Sequence, residues 1–189
     1  MRKLKLQVQV SLDGYVAGPN GEMDWMTWNM SDNVLEQIME ITHSVDSILM
    51  GRKMAAGFIS HWTNVVSNPQ DPSHSFGEIM INTPKVVFTK TLTRSEWDNT
   101  TLATGEIKEE VNKLKNQNGK DIIVYGGAGF VSSLIKESLI DEYHLFVNPA
   151  AIGSGLPIFR ELGRTQQFSL IKCIPSDSGI VVLVYKPKS

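Results

Sequence analysis

The chain predicts one α/β domain over residues 1–189: a mixed sheet of about eight strands, mostly parallel, flanked by helices and finished by an antiparallel C-terminal hairpin. Three observations carry this expectation. Strand-like and helix-like periodicities alternate through the first two thirds of the sequence, the pattern of parallel strands joined by helical crossovers. The stretch Asp121-Ile-Ile-Val-Tyr-Gly-Gly-Ala-Gly-Phe-Val-Ser-Ser-Leu-Ile-Lys136 is an apolar run that stops at a glycine cluster and restarts as a helix. Two long apolar segments, around Phe168 to Ile174 and Ile180 to Tyr185, are separated by Ser176-Asp-Ser-Gly179, a hairpin turn.

Each element has its own justification. Leu4, Leu6, Val8 and Val10 alternate with Lys5, Gln7 and Gln9, the period-two signature of a strand with one buried face. Residues Ser11 to Trp25 carry three glycines and Pro19-Asn20, a long turn-rich loop of the kind that often bears function. Ser31 or Asp32 caps a helix whose apolar side is Val34, Leu35, Ile38, Met39 and Ile41. Asp46-Ser-Ile-Leu-Met50 is a strand closing on Gly51-Arg52-Lys53. From Ala55 to Pro84 the pattern is least regular, with a surface loop at Asn68-Pro-Gln-Asp-Pro72 and a short helix at Phe76 to Ile81. Lys85-Val-Val-Phe-Thr89 is a strand and Thr101-Leu-Ala103 a weaker one. Ile107, Val111 and Leu114, interleaved with charges and stopped near Gly119, form an amphipathic helix. Ile122 to Tyr125 and Glu142 to Asn148 complete the parallel part, with Phe130, Val131, Leu134 and Ile135 on one face of the helix between them.

Composition narrows the function. A net charge of −2 offers no basic field for nucleic acid. Cys173 is the single cysteine, which rules out an internal disulfide or a cysteine-based zinc site and fits a reducing, cytoplasmic compartment. No stretch approaches the roughly 20 apolar residues of a membrane span, and the alternating N-terminus lacks the apolar block of a signal peptide. His43, His61, His74 and His144 lack metal-ligand spacing, so no metal is expected.

Two strand-to-glycine junctions are the places where chemistry concentrates. At Gly126, Gly127 and Gly129 the backbone can take positive φ and be approached closely, and the helix that follows presents unpaired N–H groups with about half a unit of positive charge. That is what a phosphate requires, although a tight connection reads the same way. The spacing is not a Rossmann fingerprint, because Ser132 stands where the third glycine belongs. At Gly51, the cations Arg52 and Lys53 follow at once, a solvated edge or a phosphate grip.

Taken in order, Ser11-Leu-Asp-Gly-Tyr-Val-Ala-Gly18, Ile48-Leu-Met-Gly-Arg52, Pro84-Lys-Val-Val-Phe-Thr-Lys90, Val124-Tyr-Gly-Gly-Ala-Gly129 and Leu139 to Leu145 with Ile152-Gly-Ser-Gly-Leu-Pro-Ile-Phe159 resemble the dihydrofolate reductase-like superfamily. Within it, they resemble the branch that includes the reductase domain of bifunctional riboflavin-biosynthesis deaminase-reductases. The resemblance implies a dihydrofolate reductase-like sheet, hydride transfer from NADPH to a small-molecule substrate of pterin or pyrimidine-ribosyl type, and a homodimer. It implies a pyrophosphate at Gly126, Gly127, Ala128, Gly129 and Phe130, cofactor phosphates at Gly51 and Arg52, the adenosine end at Phe88, Thr89 and Lys90, and the nicotinamide beside Val10 and Ala17. Arg52 and Lys90 would select NADPH through its extra phosphate. Two departures are visible: Met54 replaces a threonine, and Phe130 stands where dihydrofolate reductases often place a cation. The deaminase half needs two close cysteines and is excluded.

Hydride reduction also consumes a proton, for which Asp32, at the start of the first helix, and Asp13, in the first loop, are the candidate catalytic carboxylates. Both have structural alternatives, a helix N-cap for Asp32 and an Asx turn for Asp13. Trp25 is the candidate wall for a planar substrate, and Trp28 shares its loop. The competing reading keeps the fold as a nucleotide-binding or regulatory protein without catalytic turnover.

Overall fold

The computed structural model describes residues 1–188. Strands β1 (Leu4–Val10), β2 (Val45–Gly51), β3 (Lys85–Phe88), β4 (Thr100–Ala103), β5 (Asp121–Val124), β6 (Glu142–Val147), β7 (Phe168–Pro175) and β8 (Val181–Pro187) form one sheet. Helices α1 (Asp32–His43), α2 (Arg52–Val66), α3 (His74–Asn82), α4 (Ile107–Lys115) and α5 (Ala128–Lys136) cover it. The sheet order is β4-β3-β2-β5-β1-β6-β8-β7. The first six strands are parallel, and β8 runs antiparallel to both its neighbours, β6 and β7. The mixed sheet expected from the sequence is therefore present, with its C-terminal hairpin turned at Gly179, where φ is +83°.

Alternation along β1 divides the core into two layers. Leu4, Leu6, Val8 and Val10 join Val131, Leu134 and Ile135 of α5 and Val111 of α4 on one face. On the other, Val34 and Ile41 of α1 and Ala55 of α2 pack with Ile48, Met50, Val87 and Phe146. Ionic groups gather at the amino ends of the strands. Lys5 pairs with Asp121 at 3.0 Å, His144 Nε2 with Glu142 at 2.7 Å, and Lys115 with Asp141 at 2.5 Å, while Arg2 bonds Asp46. These contacts staple the amino edge of the sheet.

One expectation needs correction. The segment from Ala55 to Pro84 is not irregular; it begins within a 15-residue helix, α2, and continues into α3. Met54, Ala55, Phe58, Ile59, Trp62, Val65 and Val66 do recur at helical spacing, but Gly57 and the β-branched and aromatic residues have weak helix propensity. Tertiary packing supplies the missing stability. At Gly77 of α3, a Cβ would come within 3.0 Å of Val66 and 3.1 Å of Val65, so the two helices touch through glycine. Trp62 meets Phe76 edge-on at 5.3 Å.

Candidate functional site

Strands β2 and β5 are neighbours, yet the chain leaves them in opposite directions. From β2 it passes through α2 on one face to β3; from β5 it passes through α5 on the other face and over β1 to β6. Their carboxyl ends thus flank a topological switch point, where diverging connections open a crevice in α/β sheets. β2 ends in Gly51, and β5 is followed by Tyr125 and then Gly126 and Gly127. Gly51 is the N-cap of α2 and Gly127 the N-cap of α5.

The two junctions are in contact. A Cβ on Gly51 would lie 3.0 Å from Cβ of Phe130, in the first turn of α5, and Phe88, in register with Gly51 on β3, meets the Phe130 ring at 5.0 Å. Gly126 and Gly127 have φ of +146° and +72°, values that glycine adopts without penalty. Around them the room is ample, since Cβ atoms there would find nothing nearer than Met54 at 3.9 Å. The result is an open backbone cradle at a helix N-terminus, with Arg52 and Lys53 exposed at the start of α2 beside it. Such a cradle has the form that suits an anion.

Other residues singled out in the sequence fall as follows. Thr89 is buried and its hydroxyl accepts from the Thr91 and Leu92 amides, turning the chain after β3. Lys90 reaches the carbonyls of Thr104 and Gly105 and pairs with Glu106 at 3.0 Å. Val10 ends β1 beside Val147. The Ala17 carbonyl accepts from the Leu156 amide at 2.9 Å. Trp25 is half-buried and donates to the Glu22 carbonyl at 3.2 Å, while Trp28 is exposed.

Asp13 and Asp32 have different surroundings. Asp13 accepts from Ser11 Oγ at 2.6 Å and from the amides of Ile152 and Gly153 at 3.2 and 2.7 Å. The Ser11 hydroxyl chiefly, aided by these amides and opposed by desolvation, holds its carboxyl below the usual range. Asp13 therefore ties the first loop to the segment after β6. Asp32 is exposed at the first turn of α1, capped by Ser31, and lines a polar cleft with Asn33, Pro175, Ser176 and Asp177 near the C-terminal hairpin.

Three contributors escaped sequence reading. Asn148, fully buried after β6, accepts from the Thr27 amide at 2.8 Å and donates to Gln9, anchoring the loop that carries Trp25. Gly155, in the segment after β6, lets that segment dock on the first loop, because a Cβ there would come within 2.3 Å of the Ala17 carbonyl. Arg160 lies over the first turn of α5, with Nη2 4.0 Å from where Gly129 would carry a Cβ. Only an Asn at a strand end and a third glycine cluster hinted at the first two; nothing local marked the third.

Fold and site together define a dihydrofolate reductase-like α/β protein with a crevice at its switch point. The chain belongs to the family described as the RibD C-terminal domain, the reductase domain of riboflavin-biosynthesis enzymes, whose model matches residues 2–182. It is 32% identical over 190 residues to the uncharacterized protein YyaP of Bacillus subtilis (strain 168), covering 97% of this chain and 94% of that one. YwjB, another uncharacterized protein of the same organism, is 30% identical over 172 residues, with 89% of each chain covered. Among solved structures, a putative riboflavin biosynthesis protein from Shewanella sp. PV-4 superposes with a TM-score of 0.76 at 24% identity and full coverage of both chains. A deaminase/5-amino-6-(5-phosphoribosylamino)uracil reductase from Thermotoga maritima gives 0.70 at 18% identity, and 99% of this chain covers 57% of that one.

Proposed function

We infer that the protein is an NADPH-dependent reductase that transfers hydride to a small heterocyclic or carbonyl substrate of pterin or pyrimidine-ribosyl type. The observation that carries this reading is the switch-point crevice between β2 and β5, with a glycine-capped helix on each side. A cradle at Gly126 and Gly127, where an added Cβ would meet only Met54 and Phe130 at ordinary contact distance, 3.9 Å, fits a nucleotide pyrophosphate. On this reading NADPH supplies the hydride.

The chain's own groups bind and orient. The amides of Gly127, Ala128, Gly129 and Phe130 hold the pyrophosphate, and Arg52 pairs with the cofactor's extra phosphate. Lys90 assists where its tie to Glu106 yields. Gly51 lies with Arg52 at the cofactor phosphates, Phe88 and Thr89 border the adenosine side, and Val10 and Ala17 the nicotinamide side. Trp25 walls the substrate. Asp32 is the group available to handle a proton, because Asp13 is engaged by two backbone amides and acts as a positioning residue.

The oligomer proposed is a homodimer, supported by apolar surface at the β7 edge. Leu170 and Ile171 are 54% and 52% exposed there. An open apolar groove of about 420 Å³ lies on the same part of the sheet, lined by Tyr143, Phe159, Phe168 and Tyr185. No helix of residues 1–188 is long and apolar enough to cross a membrane, and a cytoplasmic location is part of the proposal. NADPH titrated into the protein while following tryptophan fluorescence is expected to give a saturable change. Absorbance loss at 340 nm with pterin, pyrimidine and simple carbonyl substrates then reports turnover. Binding without turnover of any substrate would favour a regulatory nucleotide-binding role, and no binding of NADPH or NADH would remove the reductase reading.

A further inference from the structure

We propose that Arg160 is a pyrophosphate-binding residue of the cofactor site, held in place over the α5 N-terminus by the buried hydroxyl of Ser132. The proposal rests on the NADPH reading above and assigns a residue to it that comes from a different part of the chain. Arg160 follows the segment Pro157-Ile-Phe159, far in sequence from both glycine junctions. Its Nη2 nevertheless lies 4.0 Å from the Cβ position of Gly129, one residue into α5. A guanidinium at that distance reaches an anion seated on the amides of the same turn.

The position is built rather than incidental. Ser132 is fully buried, and its Oγ donates to the Ile158 carbonyl at 2.8 Å. Ile158 is itself 1% exposed in the core. The chain is thereby pinned to α5 two residues before Arg160. This also accounts for serine at the place where a Rossmann turn carries its third glycine: the hydroxyl has a partner across the helix face. Arg160 is otherwise free to pair with a ligand, since its ion-pair contact with Glu161 is 3.8 Å long and half-exposed. Arg52 is exposed at the start of α2 on one side of the crevice and Arg160 lies on the α5 side, so a cation stands by each helix start although Phe130 supplies none.

The assignment separates pyrophosphate from the adenosine phosphate. A pyrophosphate contact serves NADPH and NADH alike, whereas a contact to the extra phosphate serves NADPH alone. Isothermal titration of the full chain with each nucleotide is expected to show Arg160→Ala weakening both by a similar factor, about tenfold, as for loss of one charge-assisted contact. Arg160→Lys keeps the charge but not the fork, and should recover part of the loss for both. Ser132→Ala should weaken both less, and the double variant should bind no worse than Arg160→Ala, because the hydroxyl acts only through the arginine. Circular dichroism melts confirm that each variant is folded. Arg160→Ala binding NADPH within twofold of wild type would overturn the proposal, as would a loss confined to NADPH. Wild-type protein that binds neither nucleotide would instead overturn the reductase reading.

Discussion

Gly51 and Phe130 touch across the switch point: a Cβ on the glycine would come within 3.0 Å of the Phe130 Cβ, although 79 positions (130 − 51) separate them in the chain. This single contact joins the start of α2 to the start of α5. Gly51 has φ of −76°, open to any residue, so replacing it tests space alone. Gly51→Ala is expected to cost about 1–3 kcal/mol by overpacking, lowering the melting temperature by several degrees, and, on the proposed reading, to weaken NADPH binding because both helix-start turns shift. An unchanged melt and affinity would mean that Phe130 yields without moving α5.

Asp13 and Gly155 hold two loops together, the first by accepting amides at Ile152 and Gly153, the second by leaving room for the Ala17 carbonyl. Asp13→Ala and Gly155→Ala should each increase amide exchange in residues 11–18 and 150–157 at the same time. If Asp13 were instead the proton donor, its alanine variant would lose turnover without altering exchange in the second loop.

Glu142 gives the protein a specific acid sensitivity. The His144 imidazole, then Lys5 and Lys3, lower its carboxyl from 4.5 to about 2, against the opposing effect of burial. A carboxyl depressed in the folded state stabilises fully above its ordinary value and loses that contribution as pH falls toward about 2. Denaturation midpoints measured between pH 6 and pH 2 should therefore fall less steeply in Glu142→Gln than in wild type. Equal slopes would show that other carboxylates dominate.

Tyr125 carries a buried hydroxyl with no hydrogen-bond partner among the described residues, and burial pushes it up to about 12. The Thr42 hydroxyl, near enough to temper that shift, already donates to the Ile38 carbonyl at 2.7 Å. Tyr125→Phe keeps the stacking on Phe58 and removes the unpaired group, so stability should be unchanged or higher. A loss of more than about 1 kcal/mol in urea denaturation would reveal a partner for the hydroxyl.

The alternation along Leu4 to Val10, the turn at Ser176 to Gly179 and the glycine stop after Val124 by themselves determined the class of sheet, its C-terminal hairpin and the place of one helix N-terminus. These are local properties, since periodicity and glycine act over a few residues. The helix over Arg52–Val66 was obscured because its propensity is weak and its partner, α3, lies beyond a loop. The strand order, the meeting of Gly51 with Phe130, the amides that engage Asp13 and the position of Arg160 over Gly129 were decided only by tertiary structure. The Asp13 tie depends on pairing β1 with β6 and the others on inserting β5 between β2 and β1, pairings of distant segments that no local pattern encodes.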